Sequence, residues 1–158
     1  MHASGLPVEI GCREDSQQKF VNSPDIIYDD CAYYGRYKTI LVVDDEPGVT
    51  RIINRFMTRY GYEVIEAHDA GDARKIAREH RSGIDITMID IFMPEMIGSD
   101  LVSELILYHP DMKVLYMSGT SYVSLVNDGY IQSDAAFLQK PFSTLDVLQI
   151  IRLMLDDG

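Results

Sequence analysis

The chain has 158 residues, 46% hydrophobic and 25% charged, the balance of one globular domain with a real core. Its 25 acidic residues outnumber 14 basic ones for a formal net charge of -11, which excludes a direct nucleic-acid partner, because phosphate neutralisation needs clustered Lys and Arg. No apolar run reaches membrane-spanning length, no charged-then-apolar signal opens the chain, and Cys12 and Cys31 lack metal-ligand spacing; we expect a reducing cytoplasm and no membrane.

Residues 1–37 hold no sustained period of 3.6 or 2 and set six acids against Arg13, Lys19 and Arg36. They read as a flexible N-terminal extension, with Tyr28, Tyr33, Tyr34 and Tyr37 the candidates for docking it onto the domain or a partner. Residues 38–158 read as the domain proper. Thr39 to Val43 is a β-branched apolar run that ends on Asp44-Asp45-Glu46-Pro47, and a proline after acids suits the first turn of a helix. Val49, Ile52, Ile53, Phe56, Met57 and Tyr60 then recur at helical spacing, with Arg51, Arg55 and Arg59 opposite and Gly61 as the stop. A second strand is expected over 62–67 and a second helix over 71–81.

The apolar run 84–89 stops on Asp90, and a continuous apolar strand is the habit of a parallel sheet covered on both faces. A third helix follows over 98–108, with Leu101, Val102, Leu105 and Ile106 inward. Lys113 to Met117 gives a fourth strand ending at Ser118-Gly119, residues 121–128 a short helix, and Ala135 to Leu138 a fifth strand closed by Gln139-Lys140-Pro141-Phe142. Ser143 caps a last helix through Leu145, Leu148, Ile151 and Leu155, with Asp146 as its capping-box partner. Five strands alternating with five helices predict an α/β fold, a five-stranded parallel sheet with helices on both faces. No G-x-G-x-x-G or G-x-x-x-x-G-K-[ST] occurs, which disfavours dinucleotide and P-loop chemistry.

In such a sheet the strand ends converge, bringing together Asp44, Asp45, Asp90, Ser118 and Lys140. Three carboxylates repel unless a cation lies among them, and an all-oxygen set suits a hard ion, Mg²⁺ first. A lysine and a hydroxyl at the same edge can hold the oxygens of a phosphoryl group.

Asp44-Asp45, the D-x-x-M-P run from Asp90 to Pro94 with Gly98, Ser118-Gly119 and Lys140-Pro141-Phe142 together resemble the receiver domain of two-component response regulators, the CheY-like family with a flavodoxin-like (βα)5 fold. The likeness covers residues 38–157. It implies that Asp90 accepts the phosphoryl group and that Asp44, Asp45 and Asp90 hold Mg²⁺, Asp45 directly. The backbone carbonyl of Phe92 would complete the protein's share of the metal shell. Ser118 would follow the phosphoryl group, Lys140 would pair with it, and Phe137 falls at the aromatic switch position. Phe92 and Thr120 would tune phosphoryl lifetime; the apolar Phe92 cannot orient a water, so slow loss is expected, and Gly119 leaves room for small phosphodonors.

The resemblance further implies a signalling module and not an enzyme. Its partners would be a sensor histidine kinase or histidine phosphotransfer protein and a downstream protein, and the face of the fourth helix, fifth strand and fifth helix would serve a homodimer. Three readings stand beside that of a stand-alone regulator: a receiver from a hybrid histidine kinase, a pseudo-receiver that is never phosphorylated, and a flavodoxin-like binder or phosphohydrolase. Phe92 speaks against the hydrolase, which would want an acid there.

Overall fold

The computed structural model describes residues 38–156; the expected extension and its tyrosines lie outside them. Five strands, β1 (Thr39–Val43), β2 (Glu63–Ala67), β3 (Ile86–Asp90), β4 (Lys113–Ser118) and β5 (Ala136–Gln139), alternate with helices α1 (Pro47–Arg59), α2 (Ala70–Glu79), α3 (Gly98–Leu105), α4 (Tyr122–Asn127) and α5 (Thr144–Asp156). All strand pairs are parallel, in the order β2-β1-β3-β4-β5. β1 and β3 are buried at every residue, as central strands covered on both faces must be.

Side chains alternate across the pleat, and this splits the core in two. Ile40, Val42, Ile86, Met88, Leu115 and Met117 pack with Ile53 and Met57 of α1 and with Val147, Leu148 and Ile151 of α5. On the opposite face Leu41, Val43 and Ile89 meet Ala73 and Ala77 of α2 and Leu101, Val102 and Leu105 of α3. A smaller cluster of Ile91, Leu125 and Ile131 lies under α4, with Tyr116, Tyr122, Tyr130 and Phe137 packed against it. Thr87, the polar residue inside β3, is buried with its hydroxyl donating to the Leu41 carbonyl, so its burial costs little.

Helix ends follow the chemistry of their flanks. Pro47 opens α1, the Asp69 carboxylate accepts from the Asp72 N–H at the start of α2, and Gly61 turns the chain at φ 85 where other residues are strained. Before α5, Ser143 and Asp146 form the reciprocal pair expected: the Ser143 N–H donates to Asp146 Oδ2 at 2.8 Å and the Asp146 N–H to Ser143 Oγ at 3.1 Å.

Several expected boundaries move. Asp90 is the last residue of β3, not the first after it, and α3 ends at Leu105, with 106–108 in turns. Ile106 therefore leaves the inward face and is 37% exposed. Ile52 and Leu145 also point outward, at 60% and 49%, because the helix faces that meet the sheet run through Ile53 and Met57 and through Val147, Leu148 and Ile151.

Candidate functional site

β1 and β3 are adjacent and in register to Val43 and Ile89, so the residues just beyond, Asp44 and Asp90, emerge side by side at the carboxyl edge. Carboxylate oxygens of Asp44, Asp45 and Asp90 all lie within 4.8 Å of one another. Asp44 is fully buried, Asp90 is 7% exposed, and Asp45 faces solvent. Lys140, just after β5, reaches back so that Nζ donates to Asp44 Oδ2 at 2.6 Å and to Asp90 Oδ2 at 3.4 Å. The ammonium is thus the counter-ion that lets two carboxylates share a buried edge.

The electrostatics follow from that packing. Burial pushes the Asp90 carboxyl above its ordinary range; the nearby Lys140 ammonium opposes this, the Asp44 charge adds to it, and the Phe92 N–H, donating at 3.3 Å, opposes it. Burial works against the Lys140 ammonium, but its bonds to Asp44 and Asp90 outweigh that and raise its pKa. Asp44 also accepts from the Glu46 N–H at 2.9 Å, so it shapes the turn into α1 as well as lining the site.

The other expected residues occupy the same edge in different relations to Asp90. Met117 pairs with Asp90 across the sheet and Ser118 follows it, buried, its hydroxyl oxygen accepting from the Thr120 N–H at 3.1 Å. The backbone N–H of Lys140 donates to the Ser118 carbonyl at 2.8 Å, tying the ends of β4 and β5 together. Phe92 is 40% exposed and sets its ring edge-on to Tyr130, 4.9 Å between centroids. Phe137 is half-buried against Tyr122, 5.8 Å between centroids, and the Tyr122 hydroxyl donates to the Ser133 carbonyl.

Sequence reasoning placed Gly98 in the motif without a reason for it. The structure supplies one. The Gly98 N–H donates to the Ile91 carbonyl at 2.7 Å, and a Cβ at this position would lie 2.3 Å from the Asp90 carbonyl oxygen. Backbone packs on backbone there, and only glycine allows it. Tyr130 and Tyr122, the partners of Phe92 and Phe137, carried no signal of their own beyond being aromatic.

Chemically, a buried acid beside two further carboxylates and a lysine offers a nucleophilic oxygen, a hard-cation site and a phosphoryl-oxygen partner at one place. The donor set, three carboxylates clustered at a solvent-open edge, fits Mg²⁺. Among the described residues no helix is long and apolar enough to cross a membrane.

Comparison with known proteins agrees with this arrangement. Residues 40–152 match the sequence model of the response regulator receiver domain. The chain is 34% identical over 118 residues to the sensor kinase CckA of Brucella abortus, covering 75% of this chain and 12% of that one. It is 30% identical over 118 residues to the receiver protein CpdR of the same organism, covering 75% and 97%. Against two other relatives, the response regulator GtcR of Aneurinibacillus migulanus and TcrX of Mycobacterium tuberculosis, it spans about half of their length. The crystal structure of the CckA receiver domain superposes with a TM-score of 0.63 at 30% identity, covering 74% of this chain and 98% of that one. CheY from the CheX–CheY–BeF3–Mg²⁺ complex of Borrelia burgdorferi gives 0.65 at 28%, covering 75% and 89%. The chain belongs to the response regulator receiver domain family.

Proposed function

We propose that Asp90 takes a phosphoryl group from a phosphohistidine of a sensor kinase or phosphotransfer protein. The N–P bond of the donor breaks as an O–P bond forms to an Asp90 carboxylate oxygen, and the donor imidazole takes up a proton. Asp44, Asp45 and Asp90, with the Phe92 carbonyl, would hold Mg²⁺, which supplies charge neutralisation for the transfer; the Borrelia relative was solved as a Mg²⁺ complex. Lys140 and Ser118 then receive the oxygens of the product, whose added charge needs such partners.

The observation that carries this reading is the placing of Lys140 Nζ between Asp44 and Asp90, inside a trio of clustered carboxylates. Movement of Ser118 and Lys140 toward the acyl phosphate would pull on the β4–α4 and β5–α5 connections. Phe137 and Tyr122 stand between those connections, so the small cluster under α4 is where the two states would differ. The reader is a downstream protein, in the cytoplasm, with residues 1–37 as an appendage of the receiver and the α4–β5–α5 face available to a second copy. The sensor-kinase likeness favours a second setting for the same chemistry, a receiver within a hybrid kinase relay.

Intact-mass spectrometry after incubation with acetyl phosphate and Mg²⁺, and separately with a phosphorylated histidine phosphotransfer protein, tests the proposal. The wild type gains one phosphate and Asp90→Ala gains none. A wild type unmodified by both donors, or a mutant modified like the wild type, overturns it.

A further inference from the structure

Arg51, Arg55 and Arg59 recur every four residues along α1 and are exposed, so they form a basic ridge on its outer face. Ile52, beside them, is 60% exposed. In a protein of formal net charge -11 such a ridge is an exception. The ion pairs among the described residues go elsewhere, to Lys38, His68, Arg74 and Lys140. Arg51 is partly engaged: burial opposes ionisation of Glu66, but hydrogen bonds from Thr50 and Asn54 and the charges of His68 and Arg51 hold its carboxyl below the usual range. Arg55 and Arg59 form no ion pair among the described residues.

A candidate occupant enters the domain at the foot of this helix. The Lys38 carbonyl accepts from the Glu63 N–H at 3.0 Å, and Glu63 is four residues after Arg59. Residues 25–37 thus join the domain beside the C-terminal end of α1. They combine Asp25, Asp29 and Asp30, against Arg36 alone, with Ile26, Ile27, Tyr28, Tyr33, Tyr34 and Tyr37. Thirteen extended residues reach roughly 40 Å, whereas a thirteen-residue helix is only about 20 Å long, so the segment can run the full length of α1 without being stretched.

We propose that residues 25–37 dock along the outer face of α1, with Asp29 and Asp30 against Arg55 and Arg59 and the isoleucines and tyrosines covering Ile52. The head of α1 follows directly on Asp44 and Asp45, so a docked segment lies alongside the mouth of the acidic site. Exposed ion pairs hold weakly and are screened by salt; apolar cover of Ile52 supplies the rest, and the docked state is one side of an equilibrium that high salt shifts outward.

Cys31 offers the probe. In the full chain carrying Cys12→Ser, a nitroxide on Cys31 should broaden the amide signals of residues 51–59 relative to the reduced label. Arg55→Glu with Arg59→Glu should abolish that broadening, and adding Asp29→Arg with Asp30→Arg should restore it. Broadening confined to the neighbours of Lys38, or left unchanged by charge reversal, overturns the proposal. So does broadening that arises only between spin-labelled and isotope-labelled molecules in a mixed sample, which assigns the face to a second copy.

Discussion

The centre of the sheet and its β5 end are built differently. β1 and β3 are buried throughout, and among the described residues each of the two main cores assembles thirteen buried residues, most of them from strands and helices. At the other end β5 has four residues, none fully buried, α4 has six with only Leu125 buried, and the cluster beneath holds three buried residues ringed by aromatics. The three acids are mounted on the firm part, at the ends of β1 and β3. Ser118 and Lys140 sit where firm meets soft. The phosphoryl charge proposed to arrive at Asp90 would therefore act on a fixed anchor and a yielding neighbour, the arrangement a switch requires.

The contrast can be broken most forcefully from the core. Ile53→Ala should cost about 3 to 4 kcal/mol of global stability, and hydrogen exchange should show protection falling in every strand. Leu125→Ala should cost less, on the order of 2 kcal/mol, with added exchange confined to α4, β5 and the loop between them. If Leu125→Ala instead loosens β1 and β3, the two regions are one cooperative unit.

An effect of similar size is expected from Gly98→Ala. The new methyl must push against the Asp90 carbonyl, so a loss of about 1 to 3 kcal/mol by denaturant unfolding should come with slower labelling of Asp90 by acetyl phosphate. Unchanged labelling would mean that the loop yields without moving the acceptor.

The smallest effect is a gain. The folded protein holds the Asp90 carboxyl above its ordinary value, first by burial, so the native state favours the neutral form and ionisation at neutral pH costs stability. Asp90→Asn removes that cost, and its Tm should exceed the wild type's in metal-free buffer at pH 7. As pH falls through the raised value the wild type takes up its proton and the difference should begin to close, vanishing only below the ordinary carboxylate value, where the unfolded chain is protonated too. A pH-independent difference would assign the gain to packing.

The fold was legible because its strands are uninterrupted apolar runs between breakers, and buried parallel strands leave that mark in the chain. The acids were legible because each strand stops on them, as Val43 does before Asp44 and Ile89 before Asp90. Ile52, Ile106 and Leu145 read as inward because helical spacing gives a stripe but not its edges; which residue at the margin meets the sheet is decided by the neighbouring helix and by where the helix stops. The pairing of Phe92 with Tyr130 and of Phe137 with Tyr122 joins residues from separate loops and elements, and no local pattern encodes it. Asp44 serves twice, one oxygen accepting from the Glu46 N–H at the turn into α1 and the other from Lys140.

The reach of Lys140 into the acidic trio also sets a ledger of formal charge. Three carboxylates facing one tethered ammonium leave the locality two charges short of neutrality, a deficit that a doubly charged ion fills and a singly charged one does not. Converting the Asp90 carboxylate to an acyl phosphate, as proposed, would upset that balance toward negative once more. The lysine, leashed to β5 and therefore present at high effective concentration whatever the state of the surrounding solution, is the cation nearest to answer it. A receiver built this way carries its own response to the signal within the signal's reach.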